Sequence, residues 1–149
     1  MMQARTILNA LQEVDPANRS KYEANYKAFM AELVDLDADF KKIFAGRQGL
    51  RFMVIHPSWG YFADAYGLQQ VPIESEGKEP SAKALSHLLT RAKADGVGAI
   101  FVQKQFSQNQ ARAVADAIGA RIVVIDPLAE DYPENLRRVA QAMARTLSN

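Results

Sequence analysis

Over residues 1–45 the apolar positions recur at helical spacing, and beyond residue 50 they condense into short continuous runs. Ile7, Leu8, Leu11 and Val14 repeat at steps of three and four, which predicts a helix over 4–14. Asp15-Pro16 interrupts it. Proline suits a first helical turn rather than an interior, and Asp15 is a residue type that caps the start of a helix. A longer apolar face then runs through Tyr22, Tyr26, Phe29, Leu33, Leu36, Phe40, Ile43 and Phe44, and Gly46 and Gly49 close it. Residues 1–45 are therefore expected to form a long linking helix, broken near Asp15-Pro16, and residues 46–149 a separate α/β lobe.

The second region alternates strand and helix patterns. Phe52–Ile55, Ala99–Val102 and Arg121–Ile125 are the runs expected of strands buried on both faces, and Gln70–Ile73 is a shorter one. Between and after them lie helical stretches over Trp59–Tyr66, Ser81–Ala94, Asn109–Ile118 and Pro133–Leu147, with a polar loop over Glu74–Glu79. Strands alternating with such helices imply right-handed crossovers and a parallel sheet. The predicted fold class is α/β, a four-stranded parallel sheet flanked by helices and preceded by the long linking helix.

In an open parallel sheet, ligands bind beyond the carboxyl ends of the strands. His56, Gln103 and Asp126 are the first residues after the three clear strands, so a histidine, an amide and a carboxylate share one sheet edge. With strand order 2-1-3-4, the Cα atoms of His56 and Asp126 stand roughly 9–10 Å apart, two strands at about 4.8 Å each. An imidazole and a carboxylate reach one ion across that gap, each at about 2.0–2.2 Å from a zinc. Other readings stand beside this one. A lone histidine after a strand is more often a hydrogen-bonded loop residue, and Asp126 before Pro127 suits an Asx turn. Trp59, Tyr61, Phe62 and Tyr66 fit a pocket lining or a helix packed on a sheet, and His87 fits a helix surface. Asp35, Asp37 and Asp39 fall on different faces of a helix and fit a solvated one.

Composition narrows the choice. A length of 149 residues suits one domain with a sizeable core. Lys and Arg total 18 against 17 Asp and Glu, so charge gives no reason to expect nucleic acid as a partner. With no cysteine, disulfides, thiolate zinc sites and thiol catalysis are excluded. The N-terminal stretch is amphipathic and is not expected to be a secretion signal. No glycine-rich phosphate loop and no G-x-S-x-G turn follows any strand, so an enzyme is not expected.

Four ordered segments carry a family resemblance. They are His56-Pro57-Ser58-Trp59-Gly60-Tyr61-Phe62-Ala63-Asp64-Ala65-Tyr66-Gly67-Leu68, the loop Ile73-Glu74-Ser75-Glu76-Gly77-Lys78-Glu79-Pro80-Ser81, Phe101-Val102-Gln103-Lys104-Gln105-Phe106-Ser107, and Ile125-Asp126-Pro127-Leu128-Ala129. Together, and with Asp15-Pro16-Ala17-Asn18, Tyr22 and Asn25, they resemble the C-terminal lobe and linking helix of the zinc- and manganese-type solute-binding proteins of ABC transporters (the cluster A-I metal-binding family). The resemblance implies capture of a divalent metal, zinc first and manganese second, for delivery to a membrane permease from the periplasm. It implies His56 and Asp126 as metal ligands and matches Glu74 and Gln103 to no ligand. Family members carry an N-terminal lobe with two further histidine ligands, so an isolated C-terminal lobe would hold half the site. Its open face is compatible with a homodimer. Two alternatives remain: a degenerate lobe serving as a protein-interaction module, and a small flavodoxin-like nucleotide-binding domain. The second needs a phosphate-binding turn, and His56-Pro57-Ser58-Trp59 lacks the glycines for one.

Overall fold

A computed structural model of the chain describes residues 2–74, 77–78, 80–104 and 108–147, the last segment without the side chains of residues 108–110. Ser75, Glu76, Glu79, Gln105, Phe106 and Ser107, all within the loops considered above, lie outside the described residues. The chain divides into two compact units, Met1–Lys42 and Ile43–Asn149.

The first unit is helical. Helix α1 spans Met2–Val14, a 3-10 turn comes next at Pro16–Asn18, and helix α2 spans Arg19–Ile43. The break falls where Asp15-Pro16 predicts it, but Asp15 does not cap backbone N–H groups with its side chain. Its Oδ2 instead accepts hydrogen bonds from the Asn18 amide at 2.8 Å and the Tyr22 hydroxyl at 2.7 Å. The Tyr22 bond, and then the Asn18 bond, hold the Asp15 carboxyl below the usual carboxylate range, while the Tyr22 phenol is raised by the same contact. The apolar periodicity of α1 and α2 meets at a cleft of about 350 Å³, lined by Ile7, Leu8, Leu11, Tyr22, Tyr26 and Phe29 among others.

The second unit is the α/β lobe. In chain order it contains strand β1 (Arg51–Val54), helix α3 (Gly60–Ala65), strand β2 (Gln69–Pro72), helix α4 (Ala82–Ala94), strand β3 (Ala99–Gln103), helix α5 (Gln108–Ile118), strand β4 (Arg121–Ile125) and helix α6 (Tyr132–Thr146). All strands are parallel, as expected, and their order is β2-β1-β3-β4, the order supposed above for the distance between His56 and Asp126. β1 and β3 are central and carry the core. Met53, Ile55, Ile100 and Val102 face one side, where Ala92 of α4 and Ala111, Val114 and Ala115 of α5 pack on them. Side chains alternate along a strand, so Phe52, Val54 and Phe101 face the other side. There the Phe52 and Phe101 rings meet edge to face at 5.9 Å. β2 is an edge strand, which tolerates Pro72 at its end.

One expectation needs correction. Arg121–Ile125 has the pattern of a strand buried on both faces, yet β4 is the opposite edge of the sheet, and within it only Ile125 is buried. Val124 is 51% exposed. In β3 every residue is buried. A run of β-branched residues suits a pleated surface in either place, so apolar content does not separate a central strand from an edge.

Turn chemistry follows the sequence closely. Gly67 ends α3 at φ 69°, a left-handed conformation that favours glycine, and a Cβ there would also meet the Gln48 side chain at 3.1 Å. Ser81 caps α4 by accepting from the Ala84 N–H at 3.3 Å. Arg47, ahead of β1, donates from Nη1 to the carbonyls of Ala144 at 2.6 Å and Leu147 at 2.7 Å, closing off the last turn of α6.

Candidate metal centre

The chain reverses direction across the sheet between β1 and β3. From β1 it steps outward to β2 and then returns past β1 to β3. Open α/β sheets bind ligands at this switch point, beyond the carboxyl ends of the strands. Register brings particular residues there. Val54 pairs with Phe101 and Gln103 with Ile125, so His56 stands level with Gln103 and Ile125, and Asp126 lies one residue further.

The β1–β2 ladder continues past both strands. The Ile73 N–H bonds Val54 O at 2.9 Å, and the Glu74 N–H bonds Ile55 O at 3.0 Å. The continuation carries Glu74 to the level of His56, on the same face. His56 Nδ1 and Glu74 Oε2 are 2.9 Å apart. The Glu74 side chain is only 12% exposed, against 37% for His56, so water competes little for the carboxylate.

Gln103 ends β3 rather than following it, and is 2% exposed. Its Nε2 donates to Ser58 Oγ at 2.5 Å, while its Oε1 is buried with no hydrogen-bond partner among the described residues. Trp59 Nε1 is in the same state, although the Trp59 backbone N–H donates to Gln70 Oε1 at 2.7 Å. These contacts pin the segment after His56 to the sheet from both sides.

Asp126 meets the Asx-turn reading. Its Oδ1 accepts from the Leu128 N–H at 2.9 Å, and its carbonyl accepts from buried Asn135 Nδ2 at 2.6 Å. A cleft of about 340 Å³ opens beside it, with Lys104, Asn135 and Arg138 in its wall. A carboxylate offers about four lone-pair positions, so one turn hydrogen bond is compatible with ligation by the same group. Among the described residues, no set of three or more His, Cys, Asp or Glu side chains is gathered closely enough to hold an ion.

The remaining candidates resolve simply. Trp59 is buried. Phe62 packs on Phe44, Trp59 and Tyr66 with ring centroids 4.9–5.9 Å apart, so these rings are packing. Tyr61 points away from that packing and is 96% exposed. His87 is exposed on α4. Asp37 and Asp39 pair with Lys41 at 2.7 Å and Lys42 at 3.7 Å on the helix surface. Glu74 is the site residue to which the sequence pattern assigns no role. A signal is present, since Glu74 lies at the exit of β2 as His56 lies at that of β1, but β2 is too short and polar to stand out among the clear strands.

The class of protein is thus a parallel α/β lobe with an imidazole and carboxylates at its switch-point edge, the donor types that bind divalent metals. The family described as zinc-uptake complex component A, periplasmic (ZnuA), matches residues 1–146, and this chain belongs to that family. The high-affinity zinc uptake system protein ZnuA of Bacillus subtilis (strain 168) is 35% identical over 128 residues, covering 85% of this chain and 40% of the relative. A crystal structure of ZnuA superposes with a TM-score of 0.92 at 46% identity, covering 98% of this chain and 57% of that one. A zinc-bound deletion mutant of ZnuA gives a TM-score of 0.91, also at 46% identity, over 99% of this chain and 56% of that one. The chain therefore spans about half the length of the relatives it matches. Among the described residues, no helix is long and apolar enough to cross a membrane.

Proposed function

We propose that this chain captures zinc for an ABC-type uptake system, acting as a C-terminal lobe that contributes His56 and Asp126 to the metal site. The observation that carries the reading is the strand order β2-β1-β3-β4, which sets both residues at one sheet edge with β3 between them. Neutral imidazole and carboxylate together suit zinc and also accept manganese. Two protein ligands leave coordination positions open. Those positions are filled by water in the lobe alone and by a second lobe when one closes over it, which makes capture reversible. Family membership supports the rest of the assignment: a periplasmic setting, a permease as the recipient, residues 1–45 as the linking element, and binding rather than catalysis as the task.

The test is a zinc titration, read by calorimetry, of the chain and of its His56→Ala and Asp126→Ala variants. Wild type is expected to bind one zinc per chain and both variants to bind more weakly. Indistinguishable isotherms for all three would rule out the site.

A further inference from the structure

We infer that Glu74 is a positioning residue for the zinc site: it holds His56 in the tautomer that carries its proton on Nδ1 and so turns Nε2 into the nitrogen that meets the metal. The inference rests on the proposed role of His56 and adds a residue that no ligand assignment includes.

Three observations support it. The first is the contact itself, Nδ1 to Oε2 at 2.9 Å, the separation of a strong N–H···O⁻ hydrogen bond. An ionised carboxylate only accepts hydrogen bonds. A neutral imidazole in this contact must therefore place its proton on Nδ1, and its lone pair falls on Nε2. The second is burial. Exposed ion pairs hold geometry poorly and contribute little, but the Glu74 side chain is only 12% exposed. The third is the origin of the placement. Glu74 reaches His56 because the β1–β2 ladder runs on through the Glu74 N–H to Ile55 O at 3.0 Å. The carboxylate is thus anchored by backbone to the segment that leaves β1 and carries His56.

Metal-bound histidines commonly donate their other ring N–H to a carboxylate, which orients the ring and makes the ligating nitrogen more basic. Loss of such a partner typically costs about 10–100-fold in metal affinity. Pre-setting the tautomer removes a proton shift that zinc binding would otherwise have to drive.

The tautomer is read in the chelator-treated, metal-free protein by long-range ¹H–¹⁵N correlation of the His56 ring, at a pH well above the ordinary histidine range. Zinc titrations are run on the same samples. Wild type is expected to show protonated Nδ1. Glu74→Ala is expected to move the proton toward Nε2 and to weaken zinc by about 10–100-fold. Glu74→Gln, whose amide oxygen still accepts from Nδ1–H, is expected to keep the tautomer and recover most of the affinity. Protonated Nε2 in wild type, or an unchanged tautomer in Glu74→Ala, overturns the inference. So does a Glu74→Gln variant that keeps the tautomer yet binds as weakly as Glu74→Ala, because Glu74 would then act through its charge or as a ligand. The tautomer needs no zinc, so failure of the metal reading, seen as an unaffected His56→Ala isotherm, is distinguishable from failure of the Glu74 role.

Discussion

The two sides of the candidate site are held in different ways. On the β1 side, His56 is held by Glu74, 18 residues along the chain, through a contact that exists only once β1 and β2 have paired. On the β4 side, Asp126 is held by the Leu128 N–H, two residues on, and by Asn135, nine residues on. One group depends on the sheet, and the other on a local turn leading into α6. Geometry at the candidate site thus draws on tertiary pairing on one side and on short-range hydrogen bonding on the other. The two halves should therefore respond differently to damage.

The largest difference is expected at the metal. His56→Ala removes the imidazole from this sheet edge. It is expected to cost at least about 100-fold in zinc affinity, the upper end of the loss carried by outer partners alone, with little change in thermal stability because the residue follows a strand rather than filling the core. Calorimetry and a thermal melt on the same variant check both parts. Asn135→Ala acts the other way. It strips a buried donor from the Asp126 carbonyl and is expected to cost about 1–3 kcal/mol of stability, read by urea denaturation, while Asp126 keeps its carboxylate. Asp126→Asn against Asp126→Ala separates turn from ligand. Asparagine still accepts from the Leu128 N–H, so its stability should exceed that of alanine by about 1 kcal/mol, while both weaken zinc. Equal stability would show that the turn hydrogen bond contributes nothing.

The smallest expected effect lies in the helical unit, where Asp15 is also held locally. Its folded pKa is lowered chiefly by the Tyr22 hydroxyl, so its contribution is present above the unfolded carboxylate value and lost as pH falls through the lower folded one. The Tyr22 pKa is raised, so its contribution is present below the unfolded phenol value and lost as pH rises through the folded one. Tyr22→Phe should flatten both ends of the profile of melting temperature against pH. Unchanged ends would count against the contact.

Much of this was legible in the chain because period and punctuation agreed. The helical face from Tyr22 to Phe44, the Asp15-Pro16 break and the alternation of strand and helix runs all correspond to observed elements. His56 and Asp126 could be placed at one edge because parallel strands export their next residues in a common direction. Two features were not readable, for physical reasons. Ile122, Val123 and Val124 are as apolar as the β3 residues, and nothing local tells a strand that no neighbour will cover it. The pairing of Glu74 with His56 depends on register across two strands, and the polar loop after β2 gave its glutamate no local distinction.

The Arg47 contact has an architectural consequence. One guanidinium grips carbonyls 97 and 100 residues further along, so the segment entering the α/β unit and the segment leaving it are pinned side by side. Arg47 lies ahead of β1, and α6 runs back against the direction of β4, so the clasp sits at the amino pole of the sheet. The clasp thus lies at one pole of the sheet and the candidate site at the other. A tag or reporter joined after residue 147 is delivered to the clasp, away from the pole that carries His56 and Asp126.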